Sequence, residues 1–138
     1  MMKLKTLVLA FAMTSASGAA FAQSDLEVAL ATGGEKLDAD QIAELLVGNS
    51  VTAKSGKKMF RFYYDPTNVV SGELTNAGWQ GSGAFAITDT DQVCVSMAAD
   101  KGRYRCLTVV RDGDLVQKFN ADGQKTFELL KVEPSKGL

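Results

Sequence analysis

Histidine is absent from all 138 residues. Its absence removes the commonest general base, the Ser-His-Asp and Cys-His catalytic arrangements, and the usual zinc sites. Cysteine occurs only twice, as Cys94 and Cys106, and the pair does not form a Cys-x-x-Cys redox motif. No acidic stretch has the spacing of an EF-hand loop: Asp89-Thr-Asp91 and Asp112-Gly-Asp114 supply oxygens in the wrong arrangement. Gly81-Ser-Gly83 lacks the following helix and lysine of a phosphate loop, so nucleotide binding has no motif behind it. Repeats, low-complexity tracts and clustered basic stripes are missing too, and the formal net charge is −1, which argues against a nucleic-acid partner.

The chain opens with a positive segment, Met1-Met-Lys-Leu-Lys5, followed by an apolar run from Thr6 to about Ala20. Ala20-Phe-Ala22 then places small residues at the −3 and −1 positions of a cleavage site before Gln23, the three-part pattern of a secretory signal peptide. The run is shorter than the ~20 apolar residues a membrane anchor needs. We therefore expect residues 1–22 to be a leader and the mature chain to be 23–138, without a membrane span. Removing Lys3 and Lys5 leaves 13 basic residues against 16 acidic ones, a mature charge near −3. Two cysteines in an exported chain favour one disulfide.

The hairpin between those cysteines is where the pattern is clearest. Val93, Val95 and Met97 alternate with Cys94 and Ser96, and Tyr104, Cys106 and Thr108 alternate with Arg105, Leu107 and Val109. A turn centred on Asp100 sets Cys94 directly opposite Cys106. Opposed residues of an antiparallel pair have Cβ atoms about 4.5–5.5 Å apart, close to disulfide distance.

Before this hairpin, residues 23–36 read as a flexible arm, because Gly33-Gly34 ends any helix begun at Asp25. Asp38 to Val47 is the one convincing helix. Asp38 caps it with Gln41 three residues on, Ile42, Leu45 and Leu46 form one apolar face, and Gly48 ends it. After Gly48 the sequence predicts eight strands, near 49–53, 58–64, 69–75, 79–87, 92–97, 103–110, 115–120 and 125–132. Asp112-Gly113 and Asp122-Gly123 are hairpin signals. No later helix is long enough to cross between parallel strands. The fold class is therefore mainly β: an antiparallel up-and-down barrel of about eight strands, calycin- or lipocalin-like, capped at one end by the helix and forming a single domain over 37–138.

Candidate site residues are few. Arg103 and Arg105 share a face with Val95 and Met97. Turned inward they would clamp a carboxylate or phosphate; turned outward they are solvated cations. Alternation leaves both open, since the other face carries Tyr104 and the cysteines, and we take the outward reading. Arg61 and Tyr63 pose the same question, with Phe60, Phe62 and Tyr64 as the expected core face. Trp79, among glycines, is either a core filler or a binding anchor. The aspartates fall in turns, where they bond their own backbone.

In order, the helix ending Leu45-Leu-Val-Gly48-Asn49, then Phe62-Tyr-Tyr-Asp-Pro66, Gly83-Ala-Phe-Ala-Ile87, Val93-Cys94, Arg103-Tyr-Arg-Cys106 and Arg111-Asp-Gly113 resemble a group of small exported bacterial proteins that share a domain of unknown function. The resemblance covers roughly 37–123, and in that group a Trp often stands where Phe85 stands here. It implies export, the disulfide and a small barrel, and no reaction. In architecture alone the chain resembles small periplasmic inhibitors of metalloproteases, which use an N-terminal arm, and lipocalin-type carriers, whose Gly-x-Trp near the first strand is absent here. The expectation is an exported, monomeric, non-enzymatic protein, periplasmic or secreted. It would bind a small molecule or an envelope protein through Trp79, Tyr63, Arg61, Arg103 and Arg105, with no metal or cofactor. The alternative is a protease inhibitor acting through its arm.

Overall fold

Strand formation follows the apolar alternation from Asn49 onward. In the computed structural model, which describes residues 22–76 and 78–138, eight strands run β2 Asn49–Ser55, β3 Lys58–Tyr64, β4 Val69–Leu74, β5 Gln80–Ile87, β6 Val93–Met97, β7 Tyr104–Asp112, β8 Leu115–Phe119 and β9 Lys125–Pro134. They are preceded by the helix α1 Asp25–Ala31, the two-residue strand β1 Glu35–Lys36 and the helix α2 Ala39–Leu46. The expected leader, up to residue 21, lies outside the described residues. Each strand from β2 to β9 pairs antiparallel with the next, and β9 returns to β2, so the sheet closes into an eight-stranded up-and-down barrel. Closure leaves no exposed edge among these eight.

Register decides the interior. Val51 opposes Phe62, Phe62 opposes Gly72, Phe85 opposes Val95 and Val93 opposes Leu107. Val51, Phe85, Val93 and Leu107, with Tyr64, Val70, Val109, Val116 and Leu129, form one apolar core, and Phe62 and Val95 pack against it. The core face expected for β3 is therefore the observed one.

One end of the barrel is plugged. α2 carries the expected capping box: the Asp38 carboxylate accepts the Gln41 N–H at 2.8 Å, and the Gln41 side chain accepts the Asp38 N–H at 2.9 Å. Asp91, from the β5–β6 turn, accepts the Ala39 N–H at 2.8 Å, so the helix is capped from outside as well. Gly48 takes the left-handed φ of 77° that ends it, and the Asn49 side chain donates to the Leu45 carbonyl. Ile42 and Leu46 are wholly buried in the same core as Val51, Val93 and Val109.

The segment 23–36 has more local structure than the arm expected from its glycines. Ser24 and Glu27 form a capping box over α1, and Thr32 and Gly33 end it. The Leu26 N–H donates to the Gly123 carbonyl and the Lys125 N–H to the Asp25 carboxylate, each at 2.9 Å. β1 then pairs with β7 at Arg111 and Val110, on the stretch of β7 that the shorter β6 does not reach. A Cβ on Gly34 would lie 2.7 Å from the Val110 side chain, so the close approach of this segment to the barrel requires glycine there.

Cys94 and Cys106 are opposed in register and disulfide-bonded, with Cα atoms 3.9 Å apart. The turn between them is a 3-10 segment, Ala98–Asp100, followed by Lys101 and Gly102 at positive φ. Among the described residues no helix is long and apolar enough to cross a membrane.

Candidate functional site

With α2 in one end, the opposite end of the barrel is open and contains a cavity of about 460 Å³. That lies within the ~300–1,000 Å³ range of small-molecule sites. Its wall is apolar: Phe62, Val95, Met97, Leu107 and Phe127 all face it. Its rim carries Arg103, Tyr104 and Arg105 from the β6–β7 hairpin, and Asn120 to Asp122 from the β8–β9 turn.

The arginine face is therefore inward, and the outward expectation is corrected. Arg105 opposes Val95, and Val95 and Met97 pack against the core. The physical reason for the miss is that both faces of this hairpin are apolar, since Cys94 on the other face is wholly buried. Both arginines stand at the rim with their ends in water. Arg105 is 57 % exposed and pairs with Asp100 at 2.6 Å.

Deeper in the cavity lies a residue that the sequence reading did not single out. Lys118 is only 3 % exposed, and its Nζ donates to the Tyr64 hydroxyl at 2.7 Å. The ammonium is 4.9 Å from the Tyr64 ring centroid. A cation that close to the hydroxyl sits beside the phenol rather than above its face, so the hydrogen bond explains the approach. Among the described residues no carboxylate is within ion-pair distance of Lys118. Tyr64 in turn packs edge-on against Phe85, with ring centroids 5.2 Å apart. The signal was present in Leu115-Val-Gln-Lys-Phe119, where alternation puts Lys118 on the same face as the core residue Val116.

Trp79, a candidate binding residue from its sequence, is not part of the cavity lining. Its indole packs edge-on to Phe60 and over a floor of two opposed glycines, Gly72 and Gly81. A Cβ on Gly81 would stand 2.9 Å from the indole, so these glycines make room for the ring. Phe60, Phe62 and Phe127 complete this aromatic cluster at centroid distances of 5.5–5.9 Å.

The structure does not bring Arg61 and Tyr63 to this place. They alternate with Phe62 and so point away from the interior, Arg61 within 3.9 Å of Glu73. Asp65, near Tyr63, has its carboxyl held below the usual range by the Thr67 hydroxyl and backbone N–H, which donate at 2.6 and 2.9 Å. Burial, and then the charge of Asp65, push the Tyr63 phenol up.

Compared with protein-family models, curated proteins and solved structures, the chain matches none.

Proposed function

We propose that this is an exported, non-enzymatic binding protein that holds a small, mostly apolar ligand in the open end of its barrel. The observation that carries the reading is the cavity itself: about 460 Å³, walled by aliphatic and aromatic side chains, with its polar groups at the rim and at one point in its depth. An eight-stranded barrel is just wide enough to be filled by its own side chains or to hold one small ligand. The disulfide and the leader pattern of residues 1–22 support export to the periplasm or beyond.

The inhibitor alternative has less support. It needs residues 23–34 free to enter a protease cleft, whereas α1 is tied to the β8–β9 turn through Leu26 and Asp25.

Native mass spectrometry of the protein, taken gently from its own envelope fraction, tests the reading. A reproducible small added mass, lost when Leu107 and Phe127 are both enlarged to tryptophan, is the expected result. Recovery only as a bare chain, or in stoichiometric complex with another protein, overturns it.

A further inference from the structure

The depth of the cavity has an unusual hydrogen-bond inventory. An ammonium has three donors and no acceptor, and Lys118 uses one of its donors on the Tyr64 oxygen. That oxygen, having accepted, leaves the Tyr64 hydrogen to donate elsewhere. Both groups line the cavity, so its depth offers donors and a positive charge, and among the described residues the Lys118 ammonium is hydrogen-bonded to Tyr64 alone.

A buried charge without a counter-charge is strongly unfavourable unless something pairs with it. The nearest alternatives do not supply a partner. Asp100 is at the rim and held by Arg105 at 2.6 Å. Asp122 is exposed in the β8–β9 turn, where its N–H bonds the Asn120 side chain. Thr126, also in the lining, donates its hydroxyl to the Lys118 carbonyl and makes no bond to the ammonium.

Resting on the reading of this cavity as a ligand site, we propose that Lys118 and Tyr64 are a head-group anchor for the carboxylate of an apolar monoacid. The acid enters head first and lays its hydrocarbon against Phe62, Val95, Leu107 and Phe127. One ammonium and one hydroxyl match one carboxylate, which accepts from both. The apolar wall above them accounts for the rest of the molecule. A doubly charged phosphate would need a second buried cation, and the two arginines are confined to the rim. Charge-assisted hydrogen bonds of this kind are about twice as strong as neutral ones, and they are stronger still where water is excluded.

The test compares decanoate, decanol and decylammonium by calorimetric titration of the purified, oxidised protein. The expected order is decanoate at least about tenfold tighter than decanol, with decylammonium weakest. Lys118→Met, which keeps the stem and removes the donors, should erase the decanoate preference while decanol binds as before. Arg105→Met should leave the preference in place. In the unmutated protein, the Lys118 side-chain nitrogen signal should shift with decanoate and not with decanol, so the proposal remains testable if the variant does not fold. Equal binding of decanoate and decanol, or a preference that survives in Lys118→Met, overturns the anchor while leaving a ligand cavity. Failure of all three probes to bind overturns the cavity reading itself.

Discussion

Replacing Cys94 and Cys106 together by alanine should cost about 3 kcal/mol. The bond closes a loop with a sequence separation of 12, and the chain-entropy relation assigns a loop of that length about 3 kcal/mol at room temperature. The effect is on the unfolded chain, because the strands themselves already bring the two residues together: Val93 opposes Leu107 and Val95 opposes Arg105 on either side of the bond. The variant should therefore keep the barrel and lose stability. For a domain of this size, ~4 °C per kcal/mol gives a fall in Tm of roughly 12 °C. Against a typical total of about 5–15 kcal/mol, the loss is a large fraction. Urea unfolding of the oxidised protein and the double variant, followed by circular dichroism, measures it. The m-value should rise slightly in the variant, since an uncrosslinked unfolded chain exposes more surface. A loss under about 1 kcal/mol with unchanged m would refute the reasoning. It would mean that the hairpin stays closed in the unfolded ensemble without the bond.

Other expectations follow from particular contacts. Gly83→Ala should cost more than about 2 kcal/mol, because the added Cβ runs into the Ser96 carbonyl and lies 2.8 Å from the Met97 Cα, backbone that cannot rotate aside. Gly72→Ala meets only the Phe62 and Trp79 rings, so it should cost less and shift the Trp79 emission; equal losses in urea titrations would contradict this. Lys118→Met should raise the stability of the unliganded protein by about 1–3 kcal/mol, since it removes a buried charge that no carboxylate balances, and a lower urea midpoint would show that the bond to Tyr64 outweighs desolvation. Asp65, with its carboxyl lowered by Thr67, contributes stability that is complete above about pH 4 and is lost as pH falls through its folded value. Tyr63, raised by burial and by Asp65, contributes stability present below about pH 10 and lost as pH rises through its folded value. A Tm profile against pH for Asp65→Asn should be flatter at the acid limb, and phenolate absorbance should appear at lower pH; unchanged profiles would remove Asp65 from both roles.

Local chemistry determined most of the architecture in advance. Every strand segment read from alternation and turn residues falls within two residues of an observed strand, because side-chain period and turn preference are properties of a few neighbouring residues. The α2 capping box and the opposition of Cys94 and Cys106 are equally local, the latter requiring only the centre of a turn. The capping box of α1, Ser24-Asp-Leu-Glu27, is just as local, but the sequence reading rested on the two glycines after it and did not consider the cap. What the tertiary structure decided was facing and closure. Residues 23–36 dock on Gly123 and Lys125, nearly a hundred positions away, through bonds that no local pattern announces. The β6–β7 hairpin has two apolar faces, so only closure of the ring could select the one bearing Arg105. Lys118 stands in a strand whose alternation marks it as inward, but a lysine there is ordinarily assigned to water. Its burial becomes visible only when β7 and β9 pair on either side of β8 and bring its ammonium to Tyr64. Sequence spacing sets which residues share a face; the curvature of the closed sheet sets which face is dry.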